Sequence, residues 1–89
     1  MTAPYIHPKI EDVSVDPRHG ERVDLVLVVE EGVVSEVVET ISMMDGATLL
    51  RELDGGVLTM DVAESQLERI IEIEGVLSAS PDKEAEILH

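Results

Sequence analysis

The segment Arg22-Val23-Asp24-Leu25-Val26-Leu27-Val28-Val29-Glu30 decides how the rest of this chain is read. Val23, Leu25, Leu27 and Val29 alternate onto one side of an extended strand. The other side carries Asp24, Val26, Val28 and Glu30, so both sides are partly apolar, as in a central strand of a sheet. Glu31-Gly32 interrupts the strand. Val34, Val37, Val38, Ile41 and Met44 then recur at helical spacing, with Ser35, Glu36, Glu39 and Ser42 between them. That pattern predicts a helix of about three turns, ending at Asp45-Gly46, where glycine supplies a left-handed cap.

Toward the C-terminus, residues 47–53 and 57–62 flank Asp54-Gly55-Gly56, whose Asp-Gly and Gly-Gly pairs are the strongest hairpin signal in the chain. Leu67, Ile70 and Ile71 share one face of a second helix, with Glu64, Glu68, Arg69 and Glu72 elsewhere. Ser65 with Glu68 fits a capping box at its start, and Gly75 ends it. Residues 76–80 form the last strand. The order is strand, helix, strand, strand, helix, strand, and each helix can bridge two strands by a right-handed crossover. The predicted fold is therefore α+β: a ferredoxin-like βαββαβ plait, with a four-stranded antiparallel sheet and two helices on one face. Its expected core is Leu25, Leu27, Val34, Val37, Val38, Ile41, Leu49, Leu58, Met60, Leu67, Ile70 and Ile71.

Toward the N-terminus the pattern dissolves. Residues 1–21 hold Pro4, Pro8 and Pro17 and no sustained period, which predicts a flexible arm, with residues 10–15 as a short edge strand within it. The expected organisation is an arm over 1–21, one βαββαβ domain over 22–82 and an acidic tail over 83–89.

Charge narrows the function classes. Twenty acidic residues against six basic ones give a net charge of −14 on 89 residues. Nucleic-acid binding needs a basic face, and anionic membranes repel such a chain, so neither is an expected partner. Phe, Trp, Cys and Asn are absent, Tyr5 is the only aromatic residue, and 44% of the chain is hydrophobic. This acidic, lysine-poor composition resembles the proteins of extreme halophiles, and a haloarchaeal source is expected from it. The physical fit is that carboxylates repel at low salt and are screened at molar salt, where the Debye length is about 3 Å. The sequence has neither a run of about 18 apolar residues nor a basic start followed by an apolar stretch, so the expected location is cytoplasmic.

Catalytic chemistry fails on residue type. There is no Cys nucleophile, and the serines sit in no nucleophile-elbow motif. His7 and His19 fall in the arm and His89 at the terminus, which reads as solvated side chains rather than a metal site. Glu36 with Glu39, and Glu64 with Glu68 and Glu72, lie on polar helix faces, whereas general acids need desolvated carboxyls. Gly55-Gly56 joins two strands and is not a phosphate loop. Within the plait fold, acylphosphatase chemistry needs an Asn, RNA recognition needs aromatic residues on the sheet, and metal chaperones need Cys-x-x-Cys. No enzyme, cofactor or metal is expected. What remains is the sheet face away from the helices, with Asp24, Val26, Val28 and Glu30, then Thr48, Leu50 and Glu52, then Val57, Thr59 and Asp61, then Leu77 and Ala79. An apolar centre ringed by acids is what an interaction surface looks like. Folding of the arm back over that face is the competing expectation.

The stretch Leu53-Asp54-Gly55-Gly56-Val57-Leu58-Thr59-Met60-Asp61-Val62-Ala63-Glu64-Ser65-Gln66-Leu67-Glu68-Arg69-Ile70-Ile71-Glu72-Ile73-Glu74-Gly75-Val76 resembles the second half of subtilisin-family propeptides and their free-standing inhibitor relatives. The resemblance implies a chaperone-inhibitor whose sheet packs on two surface helices of a subtilisin-like serine protease. Acidic residues would cap those helices, and the C-terminal tail would enter the substrate cleft. The matching positions are Glu52, Asp54 and Asp61 for the caps and Glu86, Ile87, Leu88 and His89 for the tail; Glu86 stands where the family prefers an apolar residue. With Val26, Val28 and Leu50 these form the expected partner-binding set. The alternative is a self-associating or small-ligand-sensing regulatory plait.

Overall fold

A computed structural model describes residues 4–82. The chain runs β1 (Tyr5–Ile6), α1 (Pro8–Val15), β2 (Arg22–Val29), α2 (Val34–Ser42), β3 (Ala47–Leu53), β4 (Val57–Ala63), α3 (Leu67–Ile71) and β5 (Val76–Pro81). One sheet holds all five strands in the order β1-β5-β2-β4-β3. Four pair antiparallel, and β1 joins the outside of β5 in parallel. The α+β class is what the pattern called for, but the four-stranded antiparallel plait with two helices is not what forms. Among the described residues the sheet is mixed, with five strands, and three helices lie in the layer above it.

The added strand and helix come from the segment expected to be a mobile arm. Pro8 opens α1, where its missing N–H costs nothing, and His7 Nδ1 caps the helix by accepting from the Lys9 backbone N–H at 3.1 Å. Residues 10–15, expected as an edge strand, are helical, and Ile10 is fully buried in the core. His7 also donates its backbone N–H to the Ala79 carbonyl at 2.9 Å, which ties the start of the chain to β5.

The remainder repeats one plan twice. A strand leads through a short 3-10 turn (Glu31–Val33, then Glu64–Gln66) into a helix, then through a left-handed glycine into the next strand. The helix starts use no side-chain cap, so the Ser65–Glu68 capping box does not form. Buried residues from all three helices, Ile10, Val37, Ile41, Leu67 and Ile70, meet Leu25, Leu27, Val29, Leu58, Met60 and Val62 in a single core. Of the expected core, Val34, Val38, Leu49 and Ile71 are only partly buried at its margin, while Ile10, Val29, Val62, Val76 and Ala79 complete it. The hairpin turn at residues 54–56 is closed by Gly56, at φ +79°, whose carbonyl accepts from Val29 N at 2.8 Å. A Cβ there would lie 2.2 Å from the Val29 carbonyl oxygen, so only glycine fits against β2.

Candidate protein-docking face

Register determines which side chains share the face opposite the helices. The direct partners Val26↔Thr59, Val28↔Val57 and Asp24↔Asp61 place these six residues together on the central strands β2 and β4. On β5 the partners of Val26 and Val28 are Ser80 and Ser78. Tyr5 of β1 lies beside Ser78, and Leu53 of β3 lies opposite Val57. One row thus crosses the whole sheet as Tyr5, Ser78, Val28, Val57 and Leu53. The next holds Ser80, Val26, Thr59 and Arg51, and a third holds Asp24, Asp61 and Thr48.

Two irregularities overturn part of the expected face. The β3–β4 register shifts between Leu49 and Arg51, so Leu50 is the extra residue of a bulge and Arg51, not Leu50, lies opposite Thr59. Glu52 then pairs with Leu58 and leaves the face. A second shift on β2–β5 makes Leu77 the extra residue and puts Ala79 in the core, with Ser78 and Ser80 outside. A strand alternates with period two, so one inserted residue moves everything after it to the other side. No isolated sequence motif marks either bulge.

The expected partner set is therefore divided. Val26, Val28 and Asp61 share the open face; Leu50 is on the edge strand's bulge; Glu52 faces the helical side; Asp54 sits in the hairpin turn. Glu86, Ile87, Leu88 and His89 lie outside the described residues. Sequence reasoning missed Tyr5, Arg51 and Leu53. Tyr5 and Leu53 are 58% and 45% exposed. Among the described residues of the N-terminal segment, 4–21, α1 lies on the opposite side from this face, since Ile10 takes it into the core.

The open face carries charges of both signs. Asp24 stands directly across from Asp61, a like-charge cross-strand pair that destabilises a sheet unless compensated. Arg22, at the end of β2, compensates it in part: its Nε donates to Asp61 Oδ1 at 3.1 Å, and its Nη2 donates to the Gly46 and Asp61 carbonyls at 3.3 Å. With Arg51, the face carries two arginines, and Asp82, whose backbone N–H donates to the Asp24 carbonyl, continues the acidic row of Asp24 and Asp61 onto the end of β5.

Away from the face, Glu64 is the one buried charged residue among those described. It accepts from the Arg18 backbone N–H at 2.8 Å and from Arg18 Nη2 at 3.2 Å. The backbone N–H of Arg18, with help from its guanidinium, holds the Glu64 carboxyl below the usual glutamate value. This pair fastens the α1–β2 connection over the start of α3 and is structural. A shallow open groove of about 310 Å³ is lined by Glu36, Val37, Thr40, Ile73 and Glu74, and the Thr40 hydroxyl donates back to the Glu36 carbonyl at 2.9 Å. Among the described residues no group of His, Cys, Asp or Glu is arranged to hold a metal ion, and no helix is long and apolar enough to cross a membrane.

No protein-family model matches the chain, and neither a curated protein nor a solved structure matches it.

Proposed function

We propose that this chain is a small acidic protein-interaction module that docks the open face of its sheet on a subtilisin-like serine protease and acts on it as a propeptide-like inhibitor. The observation that carries the reading is the juxtaposition of Asp24 and Asp61 beside the uncovered apolar rows through Val26, Val28, Val57 and Leu53. A like-charge pair at the centre of a sheet breaks a local rule, and such breaks concentrate at functional sites. Facing outward, the two carboxylates suit the N-termini of helices on a partner, where unpaired N–H groups and the helix dipole favour negative charge. The resemblance of residues 53–76 to propeptides names the partner class, and the cytoplasm is the compartment in which the pair would meet. β5 runs out at Asp82, whose N–H donates to the Asp24 carbonyl at 3.0 Å, so the chain leaves the sheet beside the acidic row. In this reading residues 83–89 continue into the substrate cleft as an added strand, held by main-chain hydrogen bonds.

The test is a titration of a purified halophilic subtilase at about 2 M KCl. The intact chain slows cleavage; deletion of residues 83–89 removes most of the inhibition and leaves the fold; Glu86→Val tightens it. Asp24→Asn with Asp61→Asn weakens docking without destabilising the sheet. Undiminished cleavage at tens of micromolar intact chain sinks the protease reading.

A further inference from the structure

We propose that a second copy of this chain covers the open face, sheet face against sheet face, when no other partner is bound. The proposal rests on the open face as the docking surface and names its resting occupant. Three observations support a second copy. The first is charge. Arg22 and Arg51 share this face with Asp24 and Asp61, and Asp82 continues the acidic row at the end of β5, so a two-fold pairing of faces sets the arginines of one copy against the aspartates of the other, where burial keeps salt from screening the contacts. The second is the edge. β3 is the long exposed edge of the sheet, yet its bulge at Leu50 and the adjacent Arg51 and Glu52 blunt strand-to-strand pairing. Association is steered from the edge to the face. The third is area. Four strands about 4.8 Å apart and seven residues of about 3.3 Å each give roughly 450 Å², which Tyr5 extends toward 500 Å². A pair of faces buries about 1,000 Å², the lower bound for a specific interface.

Such an interface is weak and exchangeable, as the cap on a working surface has to be. The aromatic ring of Tyr5 and the side chain of Leu53, at opposite ends of one row, are its apolar anchors.

Sedimentation velocity of the full chain at about 2 M KCl, over concentrations up to about 500 µM, tests the proposal. The wild type shifts from 9.7 kDa to twice that mass as concentration rises. Arg51→Glu and Tyr5→Ala each raise the midpoint concentration at least about ten-fold, while circular dichroism shows both still folded. Arg69→Glu makes the same charge change on an exposed position of α3 and leaves the midpoint within about two-fold. A wild type that stays at 9.7 kDa throughout overturns the proposal, as does equal weakening by Arg51→Glu and Arg69→Glu, or none by either. The two readings fail separately. A dimer with no effect on the subtilase sinks the protease partner alone, and a monomeric inhibitor sinks the second copy alone.

Discussion

Ile10→Ala tests whether the N-terminal segment belongs to the folded domain. Ile10 is fully buried on α1, where it joins Leu67 and Ile70 of α3 and Ala79 of β5 in the core. Truncation to Ala removes three carbon groups at about 0.8 kcal/mol each, about 2.4 kcal/mol of lost burial. A cavity term adds to this, but α1 lies at the sheet's edge and can settle inward, so the total falls at about 2–4 kcal/mol. For a domain of this size that lowers the melting temperature by about 10–25 °C. The control is Val15→Ala on the same helix, where the side chain is 79% exposed and the change stays within about 0.5 kcal/mol. Urea unfolding of both variants at about 2 M KCl, followed by circular dichroism, gives the difference directly. Coincident midpoints for the two variants would refute the placement of α1 in the core and return residues 4–21 to a mobile arm.

Glu64→Gln keeps an acceptor for the Arg18 N–H but removes the charge. Because the folded-state pKa of Glu64 is lowered, its stabilising contribution is present above the ordinary glutamate value of about 4.3 and is lost as pH falls through the depressed value. The melting-temperature gap between wild type and variant should thus be constant near neutrality and close below about pH 4; a gap that widens in acid contradicts the pairing. Gly56→Ala forces a Cβ to 2.2 Å from the Val29 carbonyl oxygen at φ +79°, so it should destabilise by more than about 2 kcal/mol, whereas Gly32→Ala, with open space around it, should change little. Salt should govern folding. The chain is expected to be largely unfolded in dilute buffer and folded at about 2 M KCl, and equal melting temperatures in the two would remove the halophile reading.

The elements from residue 22 onward are legible because period and punctuation agree. Val23, Leu25, Leu27 and Val29 alternate, Val34, Val37 and Ile41 repeat at helical spacing, and Gly46, Gly55 and Gly75 adopt the positive φ that ends each unit. The N-terminal unit was harder, because its prolines read as breakers. Pro8 is in fact at the one helical position that favours proline, and within α1 Ile10 and Val13 stand at i and i+3. The packing of Ile6 and Ile10 on a sheet edge 70 residues away cannot be read from local pattern. On the face, Val26, Val28, Val57, Thr59 and Asp61 follow from plain alternation. Arg51, Leu53, Ser78 and Ser80 do not, because each follows a register shift that only the pairing of two strands reveals.

Those shifts change the chemistry of the face. In straight register β3 would present Leu50 opposite Thr59 and Glu52 opposite Val57, leaving Arg22 as the one cation against Asp24, Asp61, Asp82 and Glu52. The bulge turns Glu52 toward the helical side and brings Arg51 and Leu53 round in exchange, so β3 gives the face a cation and an apolar end in place of an acid. The same extra residue at Leu50 kinks the strand that would otherwise be a flat, pairable edge. One inserted residue therefore blunts edge pairing and sets an arginine among the aspartates of the face. On a chain with fourteen uncompensated negative charges, a face that gathers Arg22 and Arg51 beside Val26, Val28, Val57 and Leu53 departs from the prevailing composition, and that departure is the physical ground for proposing it as the docking surface.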